Sequence, residues 1–413
     1  MFTPGPRLWV TPSVTLIDEP VHLHVEECVP GEQVRLVARM TDDGGHAWAA
    51  HAIFRPAADG TIDPAREAPE SGTYSGVDPM GLFWSMRPEQ RLPRGSLFTK
   101  ATLTAATVIV SIETHNITIA STFVERRFIA PGVLRTMIRE RGIIGTLFRP
   151  DDDGPHPAVI VLSGEDGGLY EHGAALLASH GFVALSLAYF GLEGLPDRCV
   201  RVPLEYGLTA LEWLDAQDWV LPGGIAIVGW SCGGELALLL GANYPRVRAV
   251  VASNAMTLIQ SESHPDGTTE PRWICDDQPV PAVTGRVLSK YGPLRTAQLR
   301  RLLHQHALRE DCAIPLERIH GPVLFLTASD DAVLPSRDFA EFAISRSRSA
   351  GHPAIRRHVT FKDAGHALGT PAFWGLPHVP PDTRPEYGGT MQGNARANCA
   401  AWQELLTFLR GVF

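Results

Sequence analysis

A serine, an acidic pair and a histidine follow one another along this chain in an order suited to nucleophilic acyl chemistry. The serine lies in Gly229-Trp230-Ser231-Cys232-Gly233, between the apolar run Ile225–Val228 and the helix-like Glu235–Leu240. A serine on a sharp strand-to-helix turn is held in a strained backbone and pushed above the sheet edge. Flanking glycines leave room for that turn, and the helix start offers free N–H groups to an oxyanion. Cys232 is the more nucleophilic atom at neutral pH. It stands one position past the turn, however, so its side chain is expected to face packing and its N–H the oxyanion. Downstream, Val323–Thr327 reads as a buried strand ending at Asp330-Asp331, where an orienting carboxylate belongs. Asp331 is the better candidate because Leu334-Pro335 closes its loop; Asp330 is the alternative, and a solvated turn is the bland reading of both. His366 is one of sixteen histidines. Its place in Lys362-Asp363-Ala364-Gly365-His366, after the strand Val359–Phe361, separates it from His352, His358 and His378.

Elements able to position these groups are legible after Pro131-Gly132. Strands at Ile143–Phe148, Ala158–Leu162, Val183–Leu187, Ile225–Val228, Ala249–Ala252, Val323–Thr327 and Val359–Phe361 alternate with helical stretches such as Gly173–Gly181 and Pro203–Gln217. That alternation predicts a mostly parallel α/β sheet, and the order Ser, Asp, His is that of an α/β-hydrolase. Before residue 131 the pattern differs. Val21–Val25, Val34–Ala38 and Thr107–Ser111 alternate as half-buried strands. The turn signals Pro30-Gly31, Asp42-Asp43-Gly44-Gly45 and Asp59-Gly60 separate them. An N-terminal antiparallel, Ig-like β-sandwich is therefore expected over 1–131, with the catalytic domain over 132–413.

Two connections bear on the site. The segment 253–319 is too long for an ordinary connection and contains the helical Thr296–Arg309; it is expected to act as a lid, the alternative being an excursion packed elsewhere. The loop Ser163–Gly168 follows the strand that supplies one oxyanion amide in this fold, so the hole is expected from the N–H of Cys232 with that of Gly164 or Glu165. Glu165 and Asp166 are unfavourable beside a developing oxyanion unless they face away from it. Trp230, Trp273 and Tyr189 are expected to contact substrate.

Composition bounds the rest. A chain of 413 residues exceeds one ordinary core, and 44% hydrophobic with 20% charged residues fits a globular protein. The formal charge of −9 argues against general nucleic-acid binding. Six cysteines lack metal-ligand or disulfide-framework spacing. Without an apolar signal core or a run of about 20 apolar residues, a cytoplasmic protein with no membrane span is expected. The sequon Asn116-Ile117-Thr118 carries no weight in that setting.

The chain resembles the acyl-CoA thioesterases grouped with bile-acid-CoA:amino-acid N-acyltransferase. The resemblance runs through Asp18-Glu19-Pro20-Val21, Pro79–Trp84, Arg141-Gly142, Gly145–Phe148, Gly167-Gly168-Leu169 with Glu171, and Ala188-Tyr189. It continues through Gly229–Leu236, Phe325-Leu326 with Asp330-Asp331, Gly365-His366, Gly388-Gly389 and Ala401-Trp402-Gln403. It implies a β-sandwich followed by an α/β-hydrolase domain with a Ser/Cys–Asp–His triad, acting on CoA thioesters of fatty or bile acids. In that family the amino-acid transferases carry cysteine at the position of Ser231 and the thioesterases carry serine. This chain departs from the family in its acidic Glu165-Asp166 loop and in its lid.

The expected reaction is hydrolysis of an acyl-CoA or carrier-bound acyl thioester through an acyl-Ser231, with no metal or redox cofactor. The alternatives are transfer of the acyl group to an amine or alcohol, hydrolysis of a carboxylester or lactone, and a non-enzymatic binding protein on the same scaffold. The last is disfavoured by the presence of every triad member.

Overall fold

The computed structural model describes residues 5–93, 96–114, 117–263, 268–283, 292–306, 310–368, 376 and 387–413. Asn116 of the sequon and parts of the 253–319 segment lie outside the described residues.

The N-terminal part is built from β1 (Arg7–Thr11), β2 (Val14–Leu16), β3 (His22–Glu26), β4 (Val34–Thr41), β5 (Ala47–Phe54), β6 (Ser71–Gly72), β7 (Arg87–Pro88), β8 (Ala106–Thr114) and β9 (Ile117–Arg127). The four-residue helix α1 (Gly81–Trp84) sits between β6 and β7. Burial alternates residue by residue along β5, as a sheet with one packed face requires. Seven strands form one sheet in the order β2-β9-β8-β4-β5-β6 with β7 on β5, and β1 pairs β3 separately. One pairing departs from the expected antiparallel pattern, because β2 runs parallel to β9.

The remainder centres on an eight-stranded sheet. Its strands are β10 (Val133–Ile138), β11 (Gly145–Pro150), β12 (His156–Leu162), β13 (Val183–Leu187), β15 (Val220–Trp230), β16 (Ala249–Ser253), β21 (Val323–Ala328) and β22 (Arg356–Phe361). The short strands β14 (Val202–Pro203), β17 (Glu262–Ser263), β18 (Thr269–Glu270), β19 (Trp273–Cys275) and β20 (Gln278–Pro279) lie outside it. The order is β10-β11-β13-β12-β15-β16-β21-β22. β10/β11 and β11/β13 are antiparallel and every other pairing is parallel.

The helices are α2 (Glu171–Ser179), α3 (Leu204–Asp215), α4 (Cys232–Asn243), α5 (Gly292–His306), α6 (Ser336–Ser349) and α7 (Met391–Val412). Period-two strands split the core between the two faces. Val159, Val161, Val228 and Val251 join α2, α7 and the N-terminal part in one apolar cluster. Ile160, Ile227, Val250 and Phe325 join α3, α4 and α6 in the other. Burial on both faces explains the nearly uninterrupted apolar run Ile225–Trp230.

The two parts are also joined by polar contacts. Asp18 Oδ2 accepts the indole N–H of Trp402 at 2.7 Å and contacts His180 Nε2. Within the N-terminal part, the buried Arg126 donates from Nη2 to the carbonyls of Ile17 and Glu19, each at 2.7 Å. Two sequence fragments of the family resemblance, around Asp18 and Trp402, thus meet across the fold.

Candidate active site

Parallel strands deliver their C-terminal ends to one edge of the sheet, where ligands bind in open α/β folds. β12 there leads into the Ser163–Gly168 loop, β15 into Ser231, β16 into Asn254, β21 into Asp331, and β22 into the His366 loop.

Ser231 has φ +53° and ψ −117°, between the last residue of β15 and the first of α4. No larger neighbour fits this turn. A Cβ on Gly229 would lie 2.1 Å from the Gly233 carbonyl oxygen, and one on Gly233 would lie 2.2 Å from the Ser163 carbonyl oxygen. Such contacts are prohibitive, which is why the motif needs glycine at both positions. The Ser231 N–H donates to the Ser253 carbonyl at 2.8 Å.

His366 brings the separated groups together. Its Nε2 lies 3.1 Å from Ser231 Oγ, and its Nδ1 lies 2.9 Å from Asp331 Oδ2. Asp331 is buried and its other contacts are all donors. Oδ1 accepts from the N–H groups of Val333 at 2.9 Å and Leu334 at 3.0 Å, and Oδ2 accepts from Ser336 Oγ at 3.0 Å. Asp330 points elsewhere: it is exposed and accepts from Ser329 Oγ at 3.2 Å. An isolated bridge pairs Asp331 with Gly388, bringing the Gly388-Gly389 fragment against the acid loop.

Cys232 is buried, with Sγ 3.0 Å from the Tyr189 hydroxyl. As the first residue of α4 its N–H has no helical acceptor. Gly164 lies close by: a Cβ there would sit 3.5 Å from Ser231 Cβ.

Tyr189 is not placed to meet substrate. It is fully buried, and burial raises its phenol pKa well above the ordinary value. The hydroxyl donates to the Ser163 carbonyl at 2.8 Å, which ties the loop after β12 to the start of α4. Trp230 is buried against Tyr170, with ring centroids 4.8 Å apart.

Trp273 also departs from expectation. Instead of covering the site, its ring is wholly buried beside Tyr189, and its N–H donates to Glu235 Oε1 at 2.6 Å. The reason is that the inserted segment makes its own strand: β19 pairs β14, so this stretch is core rather than loop. Trp273→Ala is therefore expected to lower unfolding stability by about 3–5 kcal/mol, measured by urea denaturation. A loss below about 1 kcal/mol would return Trp273 to the pocket.

Two positioning groups escape sequence reasoning. Asn254 follows β16 and is buried. Its Oδ1 accepts from the Ala328 N–H at 3.0 Å and lies 3.0 Å from Ser336 Oγ, and its Nδ2 donates to the His366 carbonyl at 2.8 Å. One amide thus pins the acid strand to the histidine loop. Ser336 joins the same network through Asp331. Only the polar residue at a strand's C-terminal end hints at Asn254. Glu235, on the first turn of α4, is also buried, and burial raises its carboxyl pKa to about 7, with Arg272 opposing the shift.

A serine on a sharp strand-to-helix turn at the C-terminal edge of a largely parallel sheet, with histidine and a buried carboxylate in line, is the arrangement of a hydrolase-type α/β protein. Residues 18–140 match the model of the acyl-CoA thioester hydrolase/BAAT N-terminal region, and 202–412 match that of the BAAT/acyl-CoA thioester hydrolase C-terminal region. The chain belongs to this acyl-CoA thioester hydrolase/BAAT family.

Among its relatives is the bile acid-CoA:amino acid N-acyltransferase of Mus musculus, 32% identical over 98% of this chain and 97% of that protein. Acyl-coenzyme A thioesterase 1 of Rattus norvegicus is 31% identical over 95% and 93%. The mitochondrial acyl-coenzyme A thioesterase 2 of Mus musculus is 31% identical over 98% and 91%. A thermostable carboxylesterase from a metagenomic library is similar in structure over 68% of this chain and 89% of that one, with a TM-score of 0.44 and 16% identity. No helix among the described residues is long and apolar enough to cross a membrane.

Proposed function

We propose that this protein hydrolyses acyl-CoA thioesters through an acyl-Ser231 intermediate and releases the free acid. The observation that carries this reading is the relay Ser231–His366–Asp331, with links of 3.1 and 2.9 Å. His366 Nε2 takes the Ser231 proton as Oγ attacks the acyl carbonyl. The N–H of Cys232, with that of Gly164 or Glu165, stabilises the oxyanion. Collapse expels the CoA thiolate, which receives the proton from His366. Water, deprotonated by the same nitrogen, then cleaves the oxygen ester and returns Ser231. Asp331 keeps Nδ1 protonated and balances the imidazolium charge.

In this reading residues 1–131 are a β-sandwich domain and 132–413 the catalytic domain, with 253–319 as its lid. Support for the lid comes from Arg295 Nε, which donates to the Val333 carbonyl of the acid loop at 2.6 Å, and from Arg272 beside Glu165.

Transfer to an amine is the second reading, favoured by the similarity to the mouse N-acyltransferase. The elbow atom argues for hydrolysis. An acyl-cysteine is still a thioester that an amine captures readily, whereas an acyl-serine is an oxygen ester suited to base-activated water. With an acyl-CoA panel and millimolar glycine, taurine or an alcohol, wild type is expected to give mostly free acid. Ser231→Cys is expected to raise the ratio of amide to acid while slowing hydrolysis. Mostly conjugate from wild type would replace the thioesterase reading with the transferase. Turnover of simple esters or lactones but of no thioester would replace it with an ester hydrolase.

A further inference from the structure

Glu165 is an awkward residue for an oxyanion loop, since its N–H is a candidate donor while its side chain carries the wrong charge. The carboxylate lies toward a guanidinium from a distant segment. Arg272 Nη2 is 3.5 Å from Glu165 Oε1 and 3.0 Å from Glu262 Oε2, and its Nη1 is 3.9 Å from Glu235 Oε2. The Arg272 side chain is 12% exposed and that of Glu165 is 60% exposed. Backbone bonds hold Arg272 in place, with Val202 N–H donating to its carbonyl at 3.0 Å and Arg201 N–H to that of Pro271 at 2.8 Å. One cation thus gathers carboxylates from the loop after β12, from α4 and from the inserted segment.

We infer that Arg272 is a positioning residue that keeps the Glu165 carboxylate turned away from Ser231, leaving the amides of that loop to face the developing oxyanion. This rests on Ser231 being the nucleophile but not on which acyl group it takes. The loop has other anchors. Gly167 N–H donates to the Gly164 carbonyl and Gly168 N–H to that of Phe190, each at 3.1 Å, and Ser163 Oγ donates to the Gly168 carbonyl at 3.2 Å. The arginine is therefore needed chiefly because a charge must be held aside. Once that charge is removed, the tether is dispensable.

That logic inverts the usual order of conservative substitution. Aspartate keeps the charge but is one methylene too short to reach Arg272, whereas alanine has no charge to restrain. The readout is the rate at which a fluorophosphonate labels Ser231, followed by intact-protein mass, because its phosphoryl oxygen occupies the oxyanion position whatever the natural substrate. Glu165→Ala, which keeps the backbone N–H and loses the charge, is expected to label about tenfold faster than Glu165→Asp. Glu165→Asp is expected to fall about tenfold, part of the about 10²–10³ that loss of a whole oxyanion donor costs. Arg272→Gln is expected to fall similarly and to recover when Glu165→Ala is added. Because Glu165 is exposed, its two variants decide the matter even where Arg272→Gln does not fold. A rate for Glu165→Asp equal to or above that of Glu165→Ala would overturn the inference, as would a folded Arg272→Gln that Glu165→Ala does not rescue. Labelling that persists in Ser231→Ala would remove the nucleophile on which it stands. Labelling of Glu165→Ala faster than that of Glu165→Asp, in a protein that cleaves no thioester, would fail the proposed function and leave this inference intact.

Discussion

Ser231→Ala is expected to fold as wild type does and to lose acyl transfer by up to about a million-fold, the scale seen when a hydrolase loses its nucleophile. The folding half of the expectation follows from the backbone. Serine and alanine bear the same steric cost at φ +53°, and the hydrogen bonds that shape the turn are backbone ones, through Ser231 N–H and its carbonyl. Oγ faces His366 Nε2, so its removal leaves no buried donor without an acceptor. The neighbouring thiol offers no detour, since Cys232 is buried with Sγ against the Tyr189 hydroxyl. Mass spectrometry after exposure to acyl-CoA should show an adduct on Ser231 in wild type and none in the variant, with matching circular dichroism. An acyl group mapped to Cys232, or turnover within tenfold of wild type, would sink the assignment.

What the sequence made legible was whatever local chemistry dictates. The elbow reads from linear text because strand, glycine, serine, glycine and helix act within a few residues of one another. The strands of the sheet read equally well, since burial on two faces leaves continuous apolar runs such as Val323–Ala328. Asp331 and Asp330 could not be separated with the same force, because adjacent residues share a loop and differ only in where each side chain points. Asn254 acts through Ala328, Ser336 and His366, which meet only when strand ends converge. Arg272 is further removed, its meaning depending on carboxylates from three separate segments. Trp273 was misread for a different reason. A long connection suggests surface, yet pairing of β19 with β14 turns part of it into core.

Asp331→Asn is expected to cost about four orders of magnitude in turnover, as loss of the correct histidine tautomer does elsewhere, whereas Asp330→Asn stays within about threefold. All four hydrogen-bond neighbours of Asp331 are donors: two backbone amides on Oδ1, and Ser336 Oγ with His366 Nδ1 on Oδ2. An asparagine brings an NH₂ that must face one side or the other. The Val333 and Leu334 amides cannot change role, so the side-chain oxygen stays with them. The NH₂ then meets the two partners that can adapt. Ser336 can turn its proton to Asn254 Oδ1, already 3.0 Å away. The imidazole adapts by moving its proton to Nε2, which then donates toward Ser231 and can no longer accept its proton. The fold survives by that rearrangement and the general base does not. Asp330 is exposed and its carboxylate accepts from Ser329 Oγ at 3.2 Å, so its change removes only that weak contact. Steady-state turnover of both variants, with urea denaturation alongside, distinguishes the cases. Equal losses from the two substitutions, or turnover of Asp331→Asn within tenfold of wild type, would mean that another carboxylate orients His366.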